Sequence, residues 1–195
     1  PVTEMVTGRD LVALQISVAQ GDPLGFAQDD VALSGHAIEV RLYAEDPAND
    51  FLPSTGRVEL WVPADGDGIR VDSGIETGFA ISPYYDPMLA KIIAHGPDRE
   101  TARHRLLRTL KETSLFGPAN NRQFLIEALG RKSFAKGEAT TSFIGNEFGD
   151  DGFAATEPGE LTFAIAALAL FLQRREKAIA TSPLISSELL GWSST

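Results

Sequence analysis

The chain has 195 residues and a mass of 21.0 kDa, enough for one good-sized domain or one domain plus part of a second. Hydrophobic residues at 43% and charged residues at 23% fit a globular protein and exclude disorder of the whole chain. A net charge of −10 argues against a nucleic-acid groove or an anionic membrane as main partner, and the absence of cysteine removes disulfides, Cys-based zinc sites, iron–sulfur clusters and thiol nucleophiles.

Pro1-Val2-Thr3-Glu4 lacks the charged and apolar regions of a signal peptide, and without an initiating Met the chain reads as a piece of a longer protein. Thr7-Gly8-Arg9-Asp10 has the form of a capping box with Thr7 as N-cap. Leu11, Leu14 and Val18 then follow at helical spacing until Gly21 and Pro23 end the run, so one short helix is expected at the start.

From about residue 31 the period changes to two. Ile38, Val40 and Leu42 alternate with Glu39, Arg41 and Tyr43, which predicts a strand with one apolar and one polar face. Val58, Leu60 and Val62 alternate with Arg57, Glu59 and Trp61 in a second strand. A turn at residues 65–68 leads to Ile69-Arg70-Val71, and residues 88–94 form a further apolar run. No segment between these strands is long enough for a helical crossover, so the sheet should be largely antiparallel.

Helices then return. Asp98 caps a segment reaching Glu112, with Ala102, Leu106, Leu107 and Leu110 inward and Arg99, Arg103, Arg105 and Arg108 on or beside the wet face. A second helix follows Pro118, with Phe124, Leu125, Ala128 and Leu129 inward and Gly130 at its end. Residues 149–152 are a composition break and the expected domain boundary, separating a domain of residues 1–148 from 149–195. Beyond it, residues 161–172 are almost wholly apolar. A helix of that length spans about 18 Å, short of the roughly 30 Å of bilayer hydrocarbon, so a helix buried by other protein is expected instead of a membrane span.

Two features could bear chemistry. Arg41 is a permanent cation suited to an anion or a polarised carbonyl oxygen if its sheet face lines a cleft; the more ordinary reading is an Arg–Glu pair on a wet surface. Ser82-Pro83-Tyr84-Tyr85-Asp86-Pro87 is a proline-braced loop that could set Asp86 against an Arg, or whose tyrosines could simply plug the edge of the core. His36, His95 and His104 have no metal-ligand spacing, and no phosphate-binding glycine loop is present in the sequence. The residues alone define an α+β fold, a mostly antiparallel sheet flanked by helices, followed by an apolar helix that starts a second domain.

Pro1-Val2-Thr3-Glu4, Gly35-His36-Ala37-Ile38-Glu39-Val40-Arg41, Ala44-Glu45-Asp46-Pro47, Phe51-Leu52-Pro53-Ser54-Thr55-Gly56 and Pro83-Tyr84-Tyr85-Asp86-Pro87-Met88-Leu89-Ala90-Lys91 together resemble biotin carboxylase, in the family's order and spacing. The resemblance reaches about residue 148 and implies the C-terminal lobe of the ATP- and bicarbonate-dependent enzyme that carboxylates biotin on a separate carrier domain. It implies that ATP and Mg are bound by an ATP-grasp part upstream, together with the bicarbonate-activating Glu. It assigns Arg41 to the ureido oxygen of biotin and Asp86 to the edge of the biotin pocket, where it orients the Arg, and leaves Tyr85 a structural role. Arg70 matches a position used in the dimer interface of stand-alone bacterial biotin carboxylases, whereas Asp67 stands where those proteins have an aromatic residue.

Residues 150–195, with Ser182-Pro183-Leu184 and Gly191-Trp192, resemble the linker of acyl-CoA carboxylase α subunits, closest to the 3-methylcrotonyl-CoA type and in the same group as propionyl-CoA carboxylase. That implies a carboxyltransferase β subunit as partner besides the biotinyl carrier domain, with self-association through the apolar helix a further possibility. The compartment implied is cytoplasmic, or the mitochondrial matrix in a eukaryote. The rival readings are a non-catalytic assembly module and the equivalent lobe of an acetyl-CoA or pyruvate carboxylase.

Overall fold

The computed structural model describes residues 1–149, 153–154 and 159–181. The chain divides into two compact units, Pro1–Ala154 and Ala155–Thr195. The middle of the expected boundary, residues 150–152, and the motifs at 182–184 and 191–192 lie outside the described residues.

The first unit opens with two helices where the sequence suggested one. Helix α1 covers Val2–Thr7 and α2 covers Leu11–Ala19. Thr7 is not an N-cap: it ends α1, its hydroxyl donates to the Thr3 carbonyl at 2.7 Å, and Gly8 closes the helix in the left-handed conformation. Asp10 caps α2 instead, accepting from the Ala13 N–H at 2.8 Å. The apolar side chains Val12, Ile16 and Val18 of α2 are exposed.

The sheet is antiparallel in every pairing described. Strands β1 (His36–Tyr43), β6 (Ile69–Ser73) and β8 (Met88–Gly96) form a three-stranded sheet in the order β1-β8-β6, and the other strands described form separate two-stranded sheets where one sheet was expected. Shorter pairs join β2 (Glu45–Asp46) to β3 (Leu52–Pro53), β4 (Gly56–Arg57) to β7 (Ala80–Ile81), and β5 (Leu60–Val62) to β9 (Ser114–Phe116). Gly35 turns the chain into β1 at φ 67°, and a Cβ there would strike the Gly96 carbonyl and sit 2.7 Å from His95 Nε2.

The expected continuous strand at residues 57–62 is two strands with different partners. Val58 N–H donates to the Phe79 carbonyl and Glu59 N–H to the Phe116 carbonyl, so the chain changes neighbours between them. That change resets the alternation: Val58 and Trp61 are buried, at 0% and 8% exposure, while Val62 is 53% exposed.

Helix α3 (Arg99–Glu112) lies over the apolar face of the sheet, with Asp98 as N-cap accepting from Thr101 N–H at 2.7 Å. Ala102, Leu106 and Leu110 enter one core with Ile38, Val40, Leu42, Ile92 and Ala94. Arg103, expected on the wet face, is buried. It donates to the Leu129 carbonyl at 3.0 Å and pairs with Glu100 at 2.6 Å, tying α3 to the end of α4 (Arg122–Gly130). Two short helices unforeseen in the sequence follow, α5 (Lys132–Lys136) and α6 (Phe143–Phe148). Phe153 is buried and meets Phe124 edge-on at 5.8 Å.

In the second unit, α7 runs over Glu160–Thr181, longer than the apolar run. Leu161, Phe163, Ile165 and Leu168 on it are exposed. No helix among the described residues is long and apolar enough to cross a membrane.

The reset phase at β5 gives a direct test. Trp61→Ala should cost about 3–5 kcal/mol in denaturant unfolding, whereas Val62→Ala should stay within about 0.5 kcal/mol. A larger loss at Val62 than at Trp61 would mean the strand runs unbroken from residue 57.

Candidate functional site on the charged face of the sheet

Alternation on β1 puts Ile38, Val40 and Leu42 into the core and leaves Glu39, Arg41 and Tyr43 on the opposite face. The register extends that face across the sheet. Glu39 lies opposite Ile93 and then Arg70; Arg41 lies opposite Lys91 and then Asp72. Ile93 is fully buried on this face, while α1 contributes Glu4 to it. The rows are thus charged at both edges, with one apolar residue covered between them.

The backbone under Arg41 is held by a residue the sequence reading passed over. Asn121, buried at the start of α4, accepts from Tyr43 N–H at 2.9 Å and donates to the Arg41 carbonyl at 3.2 Å. Its own N–H donates to the Tyr43 carbonyl at 3.1 Å. A lone Asn before a helix reads in sequence as a cap; only the tertiary pairing of α4 with the edge of β1 reveals its bonds to Arg41 and Tyr43.

Arg41 is 60% exposed, and its ion-pair partner is Glu39 at 3.5 Å. Tyr43 first, and Glu39 second, raise the guanidinium's pKa above its ordinary value. The charge is therefore permanent, fixed in backbone position and open to an incoming group. Arg70 is engaged more fully: it grips both oxygens of Asp72 at 2.8 and 3.0 Å and reaches Glu4 at 2.6 Å. Asp72 and then Glu4 raise its pKa. Glu4 is lowered in return, by Arg70 and then by the Leu11 N–H. Asp67 pairs with Arg105 at 2.8 Å.

Asp86 sits on an exposed loop and accepts from Met88 N–H at 2.8 Å. Among the described residues it makes no ion pair with Arg41 within 4.0 Å; the structure places both at the same end of the sheet, where Ala44 N–H donates to the Pro87 carbonyl at 2.9 Å. Burial first, and the charge of Asp86 second, push the Glu45 carboxyl up, so the loop brings two carboxylates close. Tyr84 and Tyr85 do not plug the core. They are 87% and 84% exposed, because the prolines hold the loop outward. A cavity of about 190 Å³ runs beneath the loop, lined by Tyr85, Asp86, Met88, Ile75 and Phe79, and one of about 280 Å³ adjoins Asp72, Met88 and Lys91.

The histidines make ordinary contacts: His36 with Arg99 at 3.2 Å, His95 with the Ser34 carbonyl at 2.9 Å, and His104 with Glu100 at 3.1 Å. Among the described residues no group of three or more His, Asp or Glu is placed to hold a metal ion.

This lobe sets an exposed Arg on one face of an antiparallel sheet and a helical layer on the other. The family model for the biotin carboxylase C-terminal domain matches residues 39–146, and the chain belongs to that family. It is 46% identical to the biotin carboxylase of Nostoc sp. over 144 residues, covering 74% of this chain and 32% of that protein. It is 38% identical to the human mitochondrial propionyl-CoA carboxylase alpha chain over 202 aligned positions, covering 98% of this chain and 28% of that protein. Among solved structures, it matches the biotin carboxylase domain dimer of Hydrogenobacter thermophilus 2-oxoglutarate carboxylase, in complex with ADP, its magnesium salt and bicarbonate. That match has a TM-score of 0.76 and 37% identity, over 80% of this chain and 34% of that one. The chain thus spans about a third or less of each of these three proteins.

The Glu4–Arg70 pair makes the attachment of α1 pH-dependent. A carboxyl whose folded pKa is depressed adds stability above its ordinary value of about 4.3, and that stability is lost as pH falls through the lower folded value. Protection of the α1 amides from hydrogen exchange, corrected for intrinsic rates, should therefore decline on acidification through that window. In Arg70→Met the protection should be weaker at neutral pH and less sensitive to this titration, the Leu11 N–H alone still favouring the carboxylate. An unchanged acid dependence in the variant would remove the pair from the account.

Proposed function

We propose that the chain is the C-terminal lobe of the biotin carboxylase part of an acyl-CoA carboxylase α subunit, and that Arg41 acts on the biotin ring. The observation that carries the subtype is the extent of the matches. Similarity to the Nostoc biotin carboxylase takes in 74% of the chain, whereas similarity to the propionyl-CoA carboxylase alpha chain takes in 98%. The last quarter of the sequence is thus shared with an acyl-CoA carboxylase α chain. In this reading residues 149–195 link the lobe to a domain that docks the carboxyltransferase β subunit, and α7 begins that domain.

The chemistry assigned to Arg41 follows from its charge and placement. Biotin, presented by its carrier domain, is the substrate of this half-reaction; loss of its N1′ proton moves negative charge onto the ureido oxygen. A guanidinium aimed at that oxygen stabilises charge that is small in the ground state and large in the transition state. Asn121 fixes the strand under Arg41, and Glu39 restrains its side chain, which limits reorganisation as charge develops. Asp86 is assigned to the rim of the biotin pocket, where it would orient Arg41. ATP with its magnesium ion supplies the phosphoryl group that activates bicarbonate, and it is assigned to the ATP-grasp part of the whole enzyme. The residues here fit that division, since the sequence holds no phosphate-binding glycine loop.

In the complete carboxylase, Arg41→Met should lower the rate of biotin carboxylation by about 10²–10³ with little change in the KM for ATP. The chain by itself should release no phosphate from ATP in response to biotin and bicarbonate. Loss of nucleotide binding in the variant, with biotin turnover otherwise intact, would move Arg41 to a different role.

A further inference from the structure

We infer that Lys91 forms with Arg41 a two-cation cradle for a carboxylate-type oxyanion, and that Lys91 binds the carboxyl group handled at this site. The inference rests on the functional reading above. It starts from the register: Lys91 on β8 lies directly opposite Arg41 on β1. Side chains so paired share one face, with Cβ atoms about 4.5–5.5 Å apart, and like charges in that position destabilise a sheet. The chain carries a net charge of −10, so acidic residues to alternate with these cations were plentiful.

The acidic neighbour available to Lys91 is already taken. Asp72 lies on its other side, opposite it on β6. Both Asp72 oxygens are gripped by Arg70 at 2.8 and 3.0 Å. Glu39, the other carboxylate of the face, pairs with Arg41. Among the described residues Lys91 has no hydrogen bond or ion pair, although its side chain is half-buried beside the cavity of about 280 Å³ that it lines with Asp72 and Met88. The face therefore presents two adjacent cations, one unmatched, and Lys91 lines that cavity. A ureido oxygen with a carboxyl oxygen beside it satisfies both. Arg41 can hold the ureido oxygen while Lys91 takes an oxygen of the carboxyl group, either as free bicarbonate or as the carboxylate attached to the ring nitrogen.

The test uses the complete carboxylase with Lys91→Gln, Lys91→Arg and, as a control on the exposed end of α3, Lys111→Gln. Initial rates are measured against bicarbonate, biotin and ATP, and thermal midpoints are recorded for each protein. Lys91→Gln should reduce kcat/KM for bicarbonate or kcat by at least about tenfold, the KM for ATP holding steady. A raised KM for bicarbonate identifies the free anion as the ligand, and a lowered kcat alone identifies the ring-bound carboxylate. Lys91→Arg should recover most of the loss, and Lys91→Gln should melt no lower than the parent, because removing it relieves a like-charge pair. Rates within about twofold of the parent for Lys91→Gln, equal impairment in Lys91→Arg, or a lowered melting midpoint in Lys91→Gln would each overturn the assignment. If the unsubstituted enzyme shows no biotin-dependent ATP turnover, the functional reading falls with it; turnover that ignores Lys91 removes only the cradle.

Discussion

The antiparallel pairing of β1 with β8 is the constraint on which the rest of the lobe depends. Because side chains alternate with a period of two, this register decides at once what is buried and what is offered to a ligand. Ile38, Val40 and Leu42 meet Ala94, Ile92 and Ala90 on the core side, and α3 closes over them. The same pairing lifts Arg41 and Lys91 to the other face. A slip of one residue would drive a guanidinium into the core and expose three aliphatic side chains, so the apolar face enforces the position of the charged one. The register does shift between Leu42 and Tyr43, at the end of the strand, and there Asn121 holds the backbone of Arg41 and Tyr43.

On the charged face, the ion pairs sort residues into tethers and free ends. Arg70 spends its donors on Asp72 and Glu4, which makes it a clamp between β6 and α1. Having two acids, it leaves Lys91 with none. Arg41 keeps a longer ion pair with Glu39 and a contact with Tyr43, and most of its surface remains open. Exposed pairs of this kind add little stability. Their effect lies in where they leave charge uncompensated, which is beside the cavities at the start of β8. The donors of Arg70 are thus engaged within the lobe.

Sequence reading reached furthest where a period runs unbroken. β1, β8, α3 and α4 were legible from alternation and helical spacing, and the Asp98 cap from its position before an apolar stripe. What it missed arises from contacts between segments far apart in the chain. Nothing local says that residues 57–62 exchange Phe79 for Phe116 as partner, yet that exchange buries Trp61 and exposes Val62. Arg103 looks solvated on a helical wheel but is drawn inward by the carbonyl of Leu129. Tyr84 and Tyr85 look like core residues by type but stand in solvent between two prolines. In the candidate site, the assignments of Arg41 and Asp86 come from family resemblance, whereas Asn121 needed the contact of α4 with the edge of β1 and Lys91 the sheet register.

The central claim is that this register presents Arg41 to the biotin ring. The most direct measurement is a structure of the complete carboxylase with biotin bound in its carboxylation site. The account predicts the Arg41 guanidinium within hydrogen-bonding reach of the ureido oxygen, about 2.7–3.2 Å, with the β1–β8 register unchanged. A biotin ring bound against another surface of the lobe, with Arg41 still paired only to Glu39, would contradict it.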